Sequence, residues 1–561
     1  MAQMKKNVAT STTRLLPLLV AALAILLTVT AYAATPGITG TTFNLTAQAA
    51  YITQPDGRML YSWGYGCNGA PSGYAPAAIT NGFCNTMQIP GPTLIVTEGQ
   101  PITVNLKNSL PVAAGNTSIL FPGLNVTTSC STATPVGQQG LLTCEAAPGG
   151  TVSYTFTPSS PGTRAYYSGT QGDLQIEMGL FGAIIVLPAN VPPNCTSGSG
   201  LAAQNLAAQA SHSEANFRLA ASAYDHPNTC YDREYLFQFS EMDPNIHVQV
   251  ESQINAGASA LDVATEPDHP AYYMINGRSM PDDMDPNYAQ MYPHQPYNGN
   301  PHMHPGEQVL LRIIGQGRWQ HPFHEHGNHV RILARDGNLI LTQDGKGLAG
   351  PPFFTTTTTP GLAMDGIFYF TGRGLNWDMY GHNPNSKDAS ARPACTPDAY
   401  GYNTGFSSTD TTYAGPPIAT VASAINYYEW CQDHNKPLEV APFGDVGSGG
   451  PATLPDPHIL TNGPWYSGSP YLGPDATTRS TGCMGSGALQ SNQTGKPGAC
   501  GTTGVTPPSG TLANPPSTEA GFAFMWHSHN EREITTNNVF PGGMLMMMLV
   551  DSREFVIDES N

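Results

Sequence analysis

The sequence predicts an all-β protein built from β-sandwich domains. Its 60 glycines and 50 prolines make up about a fifth of the 561 residues, and only 11% of the residues are charged, which favours loop-rich β architecture over helix bundles. Short runs of β-forming residues, such as 93–96 and 102–106, alternate with turn residues through residues 40–188. This alternation is typical of a sandwich, and helix is expected to be a minor component.

The amino terminus predicts a secretory signal peptide over residues 1–33. Three basic residues precede an apolar run over residues 15–29, and the Ala-Tyr-Ala of residues 31–33 provides a small-residue cleavage pattern. The mature protein is therefore expected to be secreted, to a periplasmic or extracellular compartment, with no membrane span after cleavage. The alternative is a retained N-terminal anchor, because the apolar run is long for a signal.

Two domains are expected in the mature chain, the first over residues 40–188 and the second over residues 230–556. A polar, alanine-rich connector over residues 189–229 joins them. The strand pattern of the second domain is interrupted at about residues 383–517 by an insertion rich in Gly, Pro, Ser, Thr and Asn. Four of the ten cysteines lie in this insertion, where disulfides would order a segment that lacks its own core.

Ten cysteines, an even number, predict a disulfide framework in an exported chain. No Cys-x-x-Cys motif is present, which gives little support to a thiolate zinc or iron–sulfur site. Pairing in sequence order is the simplest guess at connectivity: Cys67 with Cys84, Cys130 with Cys144, Cys195 with Cys230, Cys395 with Cys431, and Cys483 with Cys500.

The chain is acidic, with 22 basic and 40 acidic residues and a formal charge of −18. Without the three cations of the signal peptide, 19 basic residues face 40 acidic ones, which gives −21. This balance argues against nucleic acid or anionic lipid as partners, and it favours cations, including metal ions and basic proteins. The simpler interpretation is that the charge maintains solubility.

Histidines concentrate at two places in the second domain. Four of the sixteen lie within residues 321–329, and two more are His527 and His529. Because successive side chains of a strand alternate faces, His324 and His326 would share one face, and the second pair would do the same. Two such strand ends side by side would converge four imidazoles, a set that suits copper, zinc, iron or nickel. The alternative is a hydrogen-bonded histidine cluster that caps a sheet.

Three segments of the first domain resemble a known family. Residues 90–111, 162–169 and 178–186 are similar to the cupredoxin domain of multicopper oxidases, and a dense match follows over residues 230–382. The resemblance implies two cupredoxin-like Greek-key domains and copper as the cofactor. Two-domain members of this family assemble as trimers, so the resemblance also implies a homo-oligomer.

The first domain lacks the histidines that this family uses there. Family members contribute two His-x-His pairs from this domain to a three-copper cluster. Leu120 and Pro122 occupy the places of the first pair, and Tyr167 and Gly169 occupy those of the second. None of these side chains is a copper ligand of that cluster, so the resemblance implies that half of its eight histidines are missing.

Residues 526–544 resemble the last copper motif of the family, with two substitutions. Ser528 stands in the place of the cysteine, and Glu533 in that of the following histidine, while His321 and Met544 stand where the two other ligands of a type 1 copper would be. A blue-copper site needs a thiolate, and a serine hydroxyl is a far weaker copper ligand. No type 1 copper is therefore expected, and laccase-type reduction of oxygen is expected to be lost.

The resemblance assigns the surviving half of the cluster to His324, His326, His527 and His529, with His321 as a further candidate ligand. His326 and His527 would bind the same type of copper. A mononuclear copper or zinc centre completed by a water is the smallest site that these residues could form. Copper is therefore expected at reduced stoichiometry.

Two other groups of residues are weaker candidates. His302 and His304 have the same His-x-His spacing but lie beside a predicted loop. Met544, Met546 and Met548 would share one face of a C-terminal strand, where thioethers suit Cu(I), but such a strand is more often core packing.

Three functional hypotheses follow from these patterns. The first is an exported cupredoxin protein that binds copper at the surviving histidines for redox chemistry or copper handling. The second is an active oxidase of phenolic or metal-ion substrates with a rearranged copper centre. The third is a structural or interaction protein that has lost its metal.

Overall fold

The computed structural model describes residues 35–76, 84, 86–129, 142–196, 209–210, 214–304, 307–370, 523–551 and 557. It also gives the backbone of residues 468–472, 480–481, 512–513 and 520–522. The predicted signal peptide, most of the insertion and the four insertion cysteines lie outside these residues. Within this part of the chain, no helix is both long enough and apolar enough to cross a membrane.

In the described residues, the first domain is a sandwich of two five-stranded sheets, with strand orders β4-β1-β5-β10-β9 and β3-β2-β6-β8-β7. Its elements are β1 (Gly37–Thr39), β2 (Thr42–Thr53), β3 (Met59–Cys67), β4 (Gly73–Ala75), β5 (Leu94–Thr97), β6 (Ile102–Asn108), β7 (Thr127–Ser129), β8 (Thr151–Phe156), β9 (Gly162–Tyr167), α1 (Gly172–Gln175), β10 (Phe181–Leu187) and α2 (Pro193–Thr196). In β6, Ile102, Val104 and Leu106 are buried and alternate with more exposed residues, so the period-two pattern of the sequence forms the core face.

The second domain contains β11 (Arg233–Met242), α3 (Pro244–Asn255), β12 (Tyr272–Ile275), β13 (His302–Met303), β14 (Gln308–Gly315), β15 (His321–Glu325), β16 (Val330–Arg335), β17 (Asn338–Leu339), β18 (Pro352–Phe353), β19 (Thr355–Thr358), β20 (Ala363–Tyr369), β21 (Gly468–Leu472), β22 (Ser480–Thr481), β23 (Leu512–Ala513), β24 (Ala520–Ser528) and β25 (Leu545–Asp551). Among the described residues, one sheet has the order β12-β11-β14-β20-β16-β17, with β18 paired to β16. The other has the order β13-β25-β24-β15-β19, with β21 paired to β24. The prediction of an all-β protein with two sandwich domains is confirmed.

Strand β15 lies between β19 and β24, and this position determines where its side chains point. Its register with β24 places Phe323 opposite Ser528 and His324 opposite His527. Phe323 packs in the core at 4.7 Å from the ring of Phe239. Because directly paired residues share a face, the alternate residues His324 and His527 point together away from this core.

Two of the predicted disulfides are present, Cys67 with Cys84 and Cys195 with Cys230. Cys144 is also disulfide-bonded, and its predicted partner Cys130 lies outside the described residues. The other two predicted pairs also lie outside them. None of the cysteines that the structure describes is free.

A buried ionic network joins the two domains. Arg312, on β14, is bonded at 2.9 Å to Glu234 and donates at 3.0 Å to the hydroxyl of Thr163 in the first domain. Asp365 accepts the backbone N–H of the same threonine at 3.1 Å and the hydroxyl of Tyr224 at 2.6 Å. Buried charges of this kind require such partners, so the domains are expected to unfold together.

The substitution Tyr224→Phe tests this network. It removes one hydrogen bond to a buried carboxylate and leaves the ring packing intact, so the free energy of unfolding is expected to fall by about 1.5–3 kcal/mol. Urea denaturation followed by tryptophan fluorescence measures the change. A Tyr74→Phe control, at a half-buried tyrosine of strand β4, is expected to change stability by less. Two separated transitions in the wild-type protein would contradict joint unfolding.

Candidate metal centre

Four histidines converge at the end of the β15–β24 strand pair. The ring of His324 lies 4.7 Å from that of His326, 5.6 Å from that of His527 and 4.9 Å from that of His529, measured between centroids. His324 and His527 are each 8% exposed, whereas His529 is exposed to solvent. The cluster therefore has a buried inner side and an open outer side, through which an ion or a small molecule can enter.

Two of these rings have the spacing of metal ligands. The Nε2 atoms of His326 and His527 are 3.1 Å apart, within hydrogen-bonding distance of each other. Two imidazoles that bind one zinc or copper ion at about 2.0–2.1 Å have nitrogens separated by roughly 3.1–3.4 Å at near-tetrahedral angles. The Nδ1–H of His527 donates at 2.7 Å to the carbonyl of Ser528, which leaves Nε2 with its lone pair toward His326. This backbone bond is the usual way in which a metal-binding histidine is oriented.

The crowding of imidazoles disfavours their charged form. Burial, together with the neighbouring rings of His326, His527 and His529, lowers the pKa of His324 to about 4. Burial also lowers the pKa of His527. Only neutral imidazole binds a metal ion, so these two rings remain available ligands at lower pH than an ordinary histidine.

The pair His326 and His527 needs at least one further donor. Among the described residues, no three His, Cys, Asp or Glu side chains are already arranged to hold a metal ion. The Nδ1 atom of His324 is hydrogen-bonded at 2.7 Å to the hydroxyl of Thr355, so its Nε2 is the nitrogen available to a metal. A rotation of this ring or of His529, or a water, would complete the set. The residues thus fit copper, which when bound would supply one-electron redox chemistry.

The structure does not place His321 with the other four histidines. His321 lies three positions before His324 along β15, so its side chain points to the opposite, core face, where it is fully buried. Its Nδ1 donates at 2.9 Å to Glu533, and its Nε2 donates at 2.9 Å to Glu241. Burial disfavours the charged ring, but the hydrogen bonds to these two carboxylates raise the pKa of His321 to about 9.

The residues at the type 1 copper positions are therefore linked to one another by hydrogen bonds. Ser528 donates its hydroxyl to the same Glu533 oxygen that accepts from His321. Met544 is buried, and its backbone N–H donates at 2.7 Å to the carbonyl of Glu533. A charged imidazole between two carboxylates takes the place that the resemblance assigns to a metal ion.

Sequence reasoning did not identify Glu241 as part of this region. It lies on β11, 80 residues before His321, and no motif marks it. Strand alternation, applied to His321 as it was to His324, would have placed His321 on the core face. Identifying the carboxylate that meets it there requires the arrangement of the sheets.

The first-domain positions that lack histidine lie next to each other in space. The backbone N–H of Leu120 donates at 2.7 Å to the carbonyl of Tyr167. A groove of about 390 Å³ beside them is lined by apolar side chains that include Leu120, Pro122 and Leu142. None of the described residues that line this groove is a histidine.

The weaker candidates have other partners. His302 lies on strand β13, and its Nδ1 is bonded at 2.7 Å to Asp551. The Nε2 of His304 is bonded at 3.0 Å to the buried Glu214. Met544, Met546 and Met548 are fully buried in the second-domain core, which is the packing role expected of such a strand.

Residues 76–191 match the multicopper oxidase family model. Laccase-3 from Botryotinia fuckeliana is 38% identical over 97 residues, which are 17% of this chain and 20% of that laccase. The match thus spans a fifth of the length of that laccase, and the activity of the laccase is not assigned to this chain.

Solved structures give more distant likenesses. A blue copper oxidase from Nitrosomonas europaea is 19% identical with a TM-score of 0.36, and the match covers 58% of this chain and 74% of that one. A copper nitrite reductase from the same organism is 17% identical with a TM-score of 0.36, over 59% of this chain and 85% of that one. Neither likeness carries a functional argument. The family model and the laccase match thus show that part of this chain, including residues 76–191 of the first domain, is similar to multicopper oxidases.

Proposed function

We propose that this protein is exported and binds copper at the histidine cluster of its second domain, in redox chemistry or in copper handling. The observation that carries the proposal is the 3.1 Å separation of the His326 and His527 Nε2 atoms. The bond from His527 to the carbonyl of Ser528 orients one of these rings as a ligand. The solvent-exposed His529 gives an incoming ion a first contact.

Laccase-type chemistry is not part of this proposal. It needs a thiolate-bound copper to collect electrons and a complete cluster to use them, and Ser528 provides no thiolate. An oxidase completed by a neighbouring copy would meet the Leu120 and Tyr167 surface of that copy, which brings no histidine. A single copper with nitrogen and oxygen ligands is the centre that the available donors support.

Copper titration of the purified, metal-free protein tests the proposal. We expect about one tightly bound Cu(II) per chain, with nitrogen hyperfine coupling in the electron paramagnetic resonance spectrum. We also expect no intense visible absorption from a thiolate–copper bond, because the described part of the chain contains no free cysteine. Zinc titration in parallel shows whether the site selects copper, whose affinity for such ligands is generally higher.

Two outcomes would contradict the proposal. Copper bound at well below one equivalent, or only as weakly as free imidazole binds it, would favour a structural or interaction protein that has lost its metal. An intense blue band, or oxygen uptake with a phenolic or metal-ion donor, would favour an active oxidase with a rearranged centre.

A further inference from the structure

Glu533 lies next to the histidine cluster, is fully buried and is bonded on both carboxylate oxygens. Its Oε2 accepts the hydroxyl of Ser528 at 2.5 Å and the Nδ1–H of His321 at 2.9 Å. Its Oε1 accepts the side-chain amide of Asn530 at 2.9 Å. Ser528 and Asn530 are the two residues that flank His529 in the chain, so one carboxylate holds both sides of this histidine.

Backbone bonds hold the same segment against its neighbouring strands. The N–H of His529 donates at 2.8 Å to the carbonyl of Pro322, which lies on β15 beside His321. The N–H of Ser528 donates at 2.9 Å to Met544, and the N–H of Met544 donates at 2.7 Å to Glu533. The turn from Ser528 to Glu533 is therefore fixed at its ends, and the Glu533 side chain fixes its middle.

The carboxylate of Glu533 is itself held in place from the core. His321 bridges it to Glu241, through 2.9 Å hydrogen bonds from each ring nitrogen. Glu241 in turn accepts the backbone N–H groups of Arg318 and Trp319, at 2.5 and 2.9 Å. These bonds satisfy the buried charges and give Glu533 one orientation, which a neutral amide at this position would not reproduce.

We propose that Glu533 is a positioning residue for the metal centre. Through Ser528 and Asn530 it sets the position of the His529 ring relative to His324 and His326. Through the start of the turn it also sets the position of the His527 ring. It touches no metal ligand side chain itself in this arrangement of bonds. This inference rests on the proposed copper function. It accounts for the acidic residue at a place where the family resemblance expects a copper-binding histidine.

The test compares Glu533→Gln with Glu214→Gln in the full-length protein. Glu214 is a matched control because it is also a buried carboxylate bonded to a histidine, His304, at 3.0 Å, but it lies in a different network, which includes Arg233. Both variants are expected to lose thermal stability. Only Glu533→Gln is expected to weaken copper binding, by about 10- to 100-fold, the usual effect of removing a group that orients metal ligands.

Two readouts separate positioning from loss of stability alone. The copper hyperfine parameters are expected to change in Glu533→Gln and to match the wild type in Glu214→Gln. In the metal-free proteins, the NMR resonances of the His527 and His529 rings are expected to shift only in Glu533→Gln. Ser528→Ala removes the hydrogen bond to Glu533 and the one that the Asn530 backbone N–H donates to the serine hydroxyl at 3.2 Å, and leaves the carboxylate in place. It is expected to fold, with a smaller change in the same direction.

Several outcomes would overturn the inference. Wild-type copper affinity and hyperfine parameters in Glu533→Gln would do so, as would equal losses in the two glutamine variants. If Glu533→Gln does not fold, unchanged affinity and histidine resonances in Ser528→Ala would have the same consequence. A wild-type protein that binds no copper would refute the proposed function instead, and the metal-free NMR comparison would still decide whether Glu533 positions the rings.

Discussion

Replacement of His527 by alanine is expected to reduce copper affinity at least 100-fold, because loss of a ligand costs more than the roughly 10- to 100-fold effect of removing a group that only orients one. His527 provides the Nε2 atom that lies 3.1 Å from that of His326, and its other nitrogen is held by the Ser528 carbonyl. Competition with a chelator of known copper affinity measures the change.

The control for this prediction is His302→Ala. His302 also belongs to a His-x-His pair and lies on β13, a strand of the same sheet, but its ring is bonded to Asp551 at 2.7 Å. We expect wild-type copper affinity in this variant. His529→Ala is expected to lose less affinity than His527→Ala, because its ring is exposed and less firmly placed. Equal affinity in the wild type and His527→Ala would show that copper binds elsewhere.

Replacement of His321 by leucine is expected to lower the free energy of unfolding by about 3–5 kcal/mol, the cost of removing one partner from a buried ionic network. The change leaves the carboxylates of Glu241 and Glu533 facing each other in the core without the proton that joins them. Chemical denaturation at pH 6 measures the loss. A His329→Leu control is expected to change stability less, since His329 is only partly buried and contacts Phe354 with its ring.

The same residue predicts a pH dependence whose sign is fixed. The pKa of His321 is about 9 in the folded protein, raised from 6.5 by its two carboxylate partners against the effect of burial. The folded state therefore holds a proton that the unfolded state releases, so the stabilisation is complete below about pH 6.5 and is lost as the pH rises through 9.

Glu325 also contributes to the pH dependence of stability, over a lower pH range. Burial raises the pKa of Glu325 from 4.5 to about 8. The folded protein therefore loses stability relative to the unfolded chain as the pH rises from about 4.5 to about 8. This contribution of Glu325 is the same in the wild type and in His321→Leu. The difference in unfolding free energy between the two proteins, measured from pH 6 to pH 10, is therefore expected to shrink as the pH rises through about 9. A constant difference across this range would show that His321 is not charged in the folded protein.

The local sequence pattern is enough to predict which histidines lie on the outer face of the cluster. Alternation along a strand places His324 with His326 and His527 with His529, and it needs only the period of a β-strand. The two motifs together predict that their strands pair, and the observed register sets His324 opposite His527. The buried alternation of β6 and the two described disulfides were likewise foreseeable from residues close together in the chain.

The sequence by itself determined an all-β chain, the concentration of imidazoles on two short strands and the lack of a thiolate where Ser528 stands. Only the tertiary structure decided the role of His321, because its partners Glu241 and Glu533 lie 80 and 212 residues away and meet it across the core. Hydrogen bonds over such separations depend on how sheets pack, which local periodicity does not encode. The same holds for the 3.1 Å approach of His326 to His527, which requires two strand ends 201 residues apart to be in register.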